Sequence, residues 1–373
     1  MTEQIQGEPE TGARGDPMAR ALELARRANY QTSPNPMVGA VLIRDGVVVG
    51  EGHHTRAGAA HAEVVALDQA GARARGATLW VTLEPCCTTG RTGPCTERIL
   101  AAGVAEVRVA TLDPNPEING CGVAQLRAAG VSVQVGQHGE EAKALIREFS
   151  QWVRTGRPLV TLKFAMSLDG KVATAGGESQ WITSELGRAR SHQLRSQHDA
   201  IMVGSGTVLA DDPRLTARIG DEGGWQPLRV IVDSRLRTPC DAQVLRTPGG
   251  AVVVATAAEP DAQRRRALEQ AGAEILVVAA EEGRVSLGAL LERLGERRVT
   301  SLLVEGGPTL LGSFLAQRLG NRIAAFVAPI LLGGAGAPGP FGGQGAATLD
   351  QSWRLDGLRA EPVGPDLLLT AEV

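Results

Sequence analysis

The chain has 373 residues, 43% hydrophobic and 21% charged, with 38 Lys and Arg against 41 Asp and Glu for a formal net charge of -3. At about 150 residues per domain this predicts two or three folded domains, and the charge balance excludes the basic excess of a surface that tracks nucleic acid. No apolar run approaches the roughly 20 residues that span a bilayer, and the N-terminal residues lack an apolar leader core, so the expectation is a cytoplasmic protein whose five cysteines stay reduced.

Residues 1–16 are polar and show no apolar period, which predicts a flexible tail. "MARALELARRA" then sets Met18, Ala21, Leu22 and Ala25 at helical spacing. "VGAVLIRDGVVVGEG" predicts a hairpin turning at Asp45-Gly46. Helix "AHAEVVALDQAG", strand "ATLWVTLEP", helix "CTERILAAG", strand "VAEVRVATLD" and the helix and strand of "GVAQLRAAGVSVQVG" complete an α/β layer. The pattern breaks at "WVRTGRP", which predicts domains over 17–153 and 154–373. Beyond it, the strands "LVTLKFAMS", "DAIMVGSGTV", "PLRVIVDS", "AVVVATA", "EILVVAA", "SLLVEGG", "IAAFVAPILLGG" and "LLLTAEV" alternate with helices such as "AQRRRALEQAG" and "LGALLERLGER". Such alternation predicts a largely parallel sheet covered on both faces.

Three of the five cysteines crowd into "EPCCTTGRTGPC". His61 opens a helix upstream, and one imidazole with two thiolates suits zinc, the fourth tetrahedral position staying open for water. Adjacent cysteines point in different directions; Cys86 follows Pro85 and is the expected ligand, with Cys95 the second and Cys87 a neighbour. Glu63, two residues after His61, is placed to shuttle a proton without binding metal, as in zinc-dependent nucleobase deaminases. Cys95 begins a helix, where the dipole favours a thiolate. A closed structural zinc site would need a fourth protein ligand such as Cys87 or His54.

The eight residues between Cys86 and Cys95 depart from the deaminase Cys-x-x-Cys spacing. With "SPNPMVGAVL" and "HAEVVAL" before it and "DPNPEINGCG", "KFAMSLDGK", "GESQWITS", "GTVLADDPRLTAR" and "VEGGPTL" after it, this loop resembles the bifunctional deaminase-reductases of riboflavin biosynthesis from residue 17 to the C-terminus. The resemblance implies a cytidine-deaminase-like α/β/α domain followed by a dihydrofolate-reductase-like α/β domain. It implies zinc and NADPH as cofactors and a phosphorylated pyrimidine as the small-molecule substrate; the expected assembly is a homo-oligomer, dimer or tetramer, and from charge and hydropathy neither nucleic-acid nor membrane partners are expected. Asn35 would then hold the substrate, with His54 and Arg91 near its ribose phosphate. The family usually has histidine where this chain has Thr88.

In the second half, "LLVEGGPTLLGSFL" is a strand, a Gly-Gly-Pro turn and a helix, a backbone suited to pyrophosphate, and Ser234, Arg235 and Arg237 past a strand end suit an adenosine 2'-phosphate. The resemblance places Ala165, Trp181, Thr207, Asp211, Ser234, Gly307, Pro308, Thr309, Leu310, Leu311, Gly312 and Ser313 at the cofactor. It places Ser179, Arg195, Leu215, Arg218 and Glu305 at the substrate, where Arg195 and Arg218 suit a phosphate clamp; no lone acid is dictated, and Asp211 is the expected proton handler, against a turn or N-cap aspartate in "ADDP". The competing expectations are a nucleoside or nucleic-acid deaminase fused to an unrelated nucleotide-binding domain, and a binding module with structural zinc.

Overall fold

The carboxylate of Asp16 accepts the Met18 and Ala19 backbone N–H groups at 2.9 and 3.4 Å and so starts the first helix. The computed structural model describes residues 15–88, 93–219, 225–257 and 261–373. Contacts divide the chain into two units, Met1–Thr155 and Gly156–Val373.

The first unit runs α1 (Pro17–Arg26), β1 (Gly39–Arg44), β2 (Val47–His53), α2 (Ala62–Ala70), β3 (Thr78–Leu83), α3 (Cys95–Ala102), β4 (Glu106–Thr111), α4 (Cys121–Ala128), β5 (Ser132–Val135), α5 (Gly139–Leu145) and α6 (Arg147–Thr155). Its sheet has the order β2-β1-β3-β4-β5; β1 is antiparallel to β2 and β3, and the remaining pairs are parallel. The expected hairpin turns with positive φ at Asp45 (52°) and Gly46 (79°), the requirement of a type I' turn. Alternate strand residues face opposite ways. Ala40, Leu42, Leu79 and Val81 pack with Ala62, Ala66, Ile99 and Leu126 on one face, and Val41 and Ala110 pack with Met18, Leu22 and Ala142 on the other. Two glycines on β2 set how closely α2 approaches: a Cβ at Gly50 would lie 2.2 Å from the Ala66 carbonyl oxygen, and one at Gly52 2.4 Å from that of Ala62. The start of α2, which carries His61 and Glu63, is thereby pressed against the sheet.

The second unit runs β6 (Leu159–Ser167), α7 (Glu185–Ser196), β7 (Ala200–Gly204), α8 (Ser205–Asp211), β8 (Leu228–Val232), α9 (Gln243–Arg246), β9 (Val252–Thr256), α10 (Ala262–Gln270), β10 (Ala273–Val277), β11 (Ala280–Glu281), β12 (Arg284–Val285), α11 (Leu287–Glu296), β13 (Ser301–Val304), α12 (Pro308–Ala316), β14 (Arg322–Ala328), β15 (Asp356–Val363) and β16 (Asp366–Glu372). Its large sheet has the order β10-β9-β8-β7-β13-β6-β14-β16-β15, parallel through β14 and antiparallel over the last two pairings. Ala200 and Met202 bury against α11 and α12, Ile201 and Val203 against the opposite layer with Val208, Val244 and Leu268. Burial on both faces explains the uninterrupted apolar runs of these strands. The connection from β6 to β7 leaves a position that β13 fills, and ligand crevices of open α/β sheets form at such switch points, beyond the carboxyl ends of the strands.

Several elements differ from expectation. "DAIMVGSGTV" is strand only to Gly204 and then becomes α8, and the strand from "IAAFVAPILLGG" stops at Ala328. At the expected break, α6 continues to Thr155, and β15 forms from the polar "DGLRAEPV". That strand is an edge exposed almost throughout, so it has no apolar alternation to betray it. Residues 1–14 of the expected tail lie outside the described residues.

Candidate active sites

His61 is the N-cap of α2 and Cys95 the first residue of α3, with Pro94 as its cap. His61 Nδ1 lies 3.2 Å from Cys95 Sγ and 3.6 Å from Cys86 Sγ, and the three donor atoms all lie within 4.8 Å of one another. Zinc bonds of about 2.1 Å to nitrogen and 2.3 Å to sulfur, opened to a tetrahedral angle, separate N from S by about 3.6 Å, so the triangle fits a zinc ion. No fourth such donor joins the cluster among the described residues, which leaves the open position of a catalytic site. The helix terminus acts differently from expectation: the Cys95 backbone N–H donates to Cys86 Sγ at 3.3 Å, so it favours the Cys86 thiolate. The Cys95 thiol also donates to Cys86, which with His61 holds Cys86 down to about 4, and Cys95 is correspondingly pushed up. Cys87 turns to Cys121, and burial and that neighbour push its thiol up to about 11, consistent with a bystander.

Glu63, in the first turn of α2, is 3% exposed, and burial raises its carboxyl above the usual range while Cys95 contacts it. It lines a cavity of about 190 Å³ with Asn35, His54, His61, Glu84, Cys86, Asp113 and Phe149. His54 is held from two sides. Its Nδ1 donates to the Ala60 carbonyl at 3.0 Å and its Nε2 meets the Asn35 side-chain nitrogen at 3.0 Å, so both ring nitrogens are engaged within the protein. Burial lowers its pKa, and the ring lies on the cavity wall hydrogen-bonded to Asn35. Arg91 lies outside the described residues; Thr88 is exposed beside it in sequence.

The sequence reading missed Glu84, Asp113 and Phe149. Glu84 accepts the backbone N–H groups of Asp113, Gly120 and Val123 at 3.0, 2.9 and 3.0 Å, fixing the "DPNP" loop beside the cavity. Phe149 and Trp152 recur one turn apart on α6, with ring centroids separated by 6.5 Å, a period present in "REFSQWV".

In the second unit a cavity of about 750 Å³ opens at the carboxyl ends of β7 and β13, beside Lys163, Phe164 and Ala165 within β6. Ala165, Ser179, Trp181, Arg195, Thr207, Asp211, Leu215, Arg218, Glu305, Gly307, Pro308, Thr309, Leu310 and Leu311 line it. Ser234, Gly312 and Ser313 are not among its lining residues. The Ser234 hydroxyl accepts the Val285 N–H at 3.0 Å, the Ser313 hydroxyl donates to the Thr309 carbonyl at 2.9 Å, and a Cβ at Gly312 would lie 2.0 Å from the Gly342 carbonyl oxygen. Nor is the Gly-Gly-Pro turn fully open to an anion, because the Gly307 N–H donates to Thr207 Oγ1 at 3.0 Å.

Glu305 sits just past β13, its side chain 7% exposed; Arg195 grips both its oxygens at 2.8 Å and Lys163 Nζ lies 3.6 Å away. Burial pushes the Glu305 carboxyl up, but Arg195 and Lys163 override it and hold it well below the usual carboxylate range. Arg195 therefore has its charge compensated and a further donor on the Thr216 carbonyl at 3.1 Å, whereas Arg218 of the same cavity wall meets no carboxylate among its hydrogen-bond partners. The Ser179 hydroxyl donates to Asp211 at 3.4 Å, and Trp181, 68% exposed, has the Arg188 guanidinium 4.8 Å above its ring. Lys163 and His192 also line the cavity and were missed, although a lysine inside the apolar strand "LVTLKFAMS" was a legible signal.

Residues 14–111 match the cytidine and deoxycytidylate deaminase zinc-binding region, and residues 158–369 match the RibD C-terminal domain, which covers more than half of the chain. The chain is 43% identical to riboflavin biosynthesis protein RibD of Actinobacillus pleuropneumoniae over 95% of this chain and 94% of that one. The chain belongs to the RibD family. The Aquifex aeolicus member is 42% identical over 94% of this chain and 96% of its own. The solved structure of Acinetobacter baumannii RibD matches with a TM-score of 0.86 and 38% identity, covering 95% of this chain and 97% of that one. The Thermotoga maritima structure, described as a diaminohydroxyphosphoribosylaminopyrimidine deaminase/5-amino-6-(5-phosphoribosylamino)uracil reductase, matches with a TM-score of 0.83 and 34% identity over the same 95% and 97%. As a RibD the chain is a bifunctional deaminase and reductase of riboflavin biosynthesis, with a zinc-binding deaminase domain and an NADPH-dependent reductase domain. Among the described residues no helix is long and apolar enough to cross a membrane.

Proposed function

We propose that residues 17–153 deaminate the diaminopyrimidinone ribosylamine phosphate, and that residues 154–373 reduce the resulting 5-amino-6-(5-phosphoribosylamino)uracil to its ribityl counterpart. The observation that carries this reading is the His61, Cys86 and Cys95 triangle with buried Glu63 beside it, on a cavity of pyrimidine size. Zinc, when bound by these three residues, supplies a water whose pKa falls to about 7. Glu63, buried beside these ligands, would take one proton from a water there and hand it to the amino nitrogen; the water oxygen would become the ring carbonyl as the C–N bond breaks and ammonia leaves, its second proton passing to the adjacent ring nitrogen. Asn35, oriented by His54, holds the pyrimidine, and Arg91 is assigned to the ribose phosphate.

For the second step NADPH supplies a hydride. Ala165, Trp181, Thr207, Asp211, Gly307, Pro308, Thr309, Leu310 and Leu311 are the proposed cofactor wall; Gly312 and Ser313 continue along α12, and Ser234 and Arg235 are assigned to the 2'-phosphate. Ser179, Leu215, Glu305 braced by Arg195, and Arg218 hold the substrate. Bound there, NADPH would supply that hydride to the sugar C1 in place of the C1–ring-oxygen bond, and the released oxygen needs a proton, which we assign to Asp211.

The test is incubation of the purified chain with the diaminopyrimidinone, with and without NADPH. Ammonia is expected in both cases and the ribityl product only with NADPH; ammonia-free chemistry, or a product formed without the cofactor, overturns the reading. Equal rates with NADH overturn the assignment of Ser234 and Arg235. We extend the reading to a cytoplasmic homo-oligomer, which cell fractionation and sedimentation check.

A further inference from the structure

We propose that His192 is a positioning residue for the reductase step, a neutral imidazole that fixes Arg218 in the cavity wall so that its full positive charge is presented to the substrate phosphate. The proposal rests on the reading of Arg218 as the phosphate-binding cation. His192 lies on α7 one turn before Arg195. Its Nδ1 is 3.2 Å from the Thr216 carbonyl oxygen, which can only accept, so Nδ1 carries the hydrogen and Nε2 keeps a lone pair. Into that lone pair Arg218 directs Nε at 3.1 Å and Nη2 at 2.9 Å. Burial, together with Arg195 and Arg218 nearby, keeps the ring pKa at about 4, so it stays uncharged near neutrality.

Two arginines of one cavity are thus held by opposite chemistry. Arg195 grips the Glu305 carboxylate, which compensates its charge. Arg218 is held edge-on by an acceptor without charge. A carboxylate at position 192 would hold Arg218 at least as firmly, but would cancel the field that a phosphate feels. The Thr216 carbonyl accepts from Arg195 Nη1 at 3.1 Å as well as from His192, so α7 fixes the segment carrying Leu215 and Arg218 from two points.

The experiment measures kcat/KM of the reductase step for the phosphorylated ribosylamino-uracil and for its dephosphorylated analogue, with NADPH binding by fluorescence as the check of folding. Arg218→Ala should lower kcat/KM for the phosphorylated substrate by about a hundredfold, mainly through KM, and leave the analogue nearly unchanged. His192→Ala should give about a tenfold loss confined to the phosphorylated substrate, and should add little in the Arg218→Ala background. His192→Gln, whose carbonyl can accept from Arg218, should recover most of the loss, whereas His192→Glu should not. If Arg218→Ala affects both substrates alike, the phosphate reading fails. If Arg218→Ala is selective but His192→Ala depresses both substrates equally, or neither, the phosphate reading stands and the role of His192 is overturned.

Discussion

Replacing Glu63 by Gln separates proton transfer from metal binding. Gln keeps the side chain's volume in a position 3% exposed, two residues from His61, and removes a charge whose burial already raises the carboxyl pKa. None of the three donors, His61 Nδ1, Cys86 Sγ and Cys95 Sγ, is altered, so zinc should remain at one per chain. An amide cannot take up and return a proton, and loss of a positioned general acid-base lowers rates by about 10²–10⁴-fold, or about 3–5 kcal/mol of barrier at 1.36 kcal/mol per decade. Stability should move by less than about 1 kcal/mol, since shape is conserved and a desolvated charge is gone. The assay is ammonia release at saturating diaminopyrimidinone with zinc measured on the same sample, and NADPH oxidation on separately deaminated substrate as the control for the second unit. A zinc-loaded Glu63→Gln chain that kept more than about a tenth of the deamination rate would refute the assignment.

Gly52→Ala would place a Cβ 2.4 Å from the Ala62 carbonyl oxygen and push the start of α2 away from β2; a loss of about 1–3 kcal/mol and at least tenfold weaker zinc binding against a competing chelator are expected. Glu305→Gln leaves Arg195 and Lys163 without their buried carboxylate and should cost about 3–5 kcal/mol by denaturant unfolding while ammonia release continues; a change below about 0.5 kcal/mol would show that the pair braces nothing. His198 is buried with Nδ1 donating to the Leu194 carbonyl at 2.7 Å and Nε2 3.1 Å from Thr161 Oγ1, and burial, helped by Arg322, holds its pKa at about 4 against the ordinary 6.5. The unfolded chain therefore binds more protons between those values, so stability should rise with pH across that window by about 3 kcal/mol, be complete above about 6.5 and be lost as pH falls towards 4. Denaturation midpoints from pH 4.5 to 7.5 should show a flatter slope for His198→Phe, and parallel slopes would sink the claim.

What could be read from residues alone follows the physics of each signal. Apolar period and turn chemistry are local, so the hairpin at Asp45-Gly46, the helix stops at Gly71 and Gly103, and the two-faced strands of the second sheet were legible. The zinc triangle was legible because its ligand types and their proline-bounded positions are chemically narrow. α6 was not, because "REFSQWVRT" has no buried residue and its aromatics acquire meaning only where Phe149 reaches the first cavity. β15 was not, because an exposed edge strand needs no apolar face.

The functional side chains that escaped the sequence share a different cause. A residue type indicates what a side chain can do, while its partner decides what it does. Arg195 and Arg218 are indistinguishable as basic residues, yet one meets a carboxylate and the other an imidazole, so only one carries uncompensated charge. His54 carries the same lesson in the first unit. The Ala60 carbonyl dictates which of its nitrogens holds the hydrogen, and the other is met by Asn35, neither of which the sequence announces. The same logic relocates the helix-terminal donors, since the Gly307 N–H that a Gly-Gly-Pro turn offers to an anion is claimed by Thr207, a residue 100 positions away in sequence. Such long-range partners reverse the chemistry of a motif without changing a letter of it, and they make His192, silent in any motif, the residue whose replacement most directly tests how the second cavity handles charge.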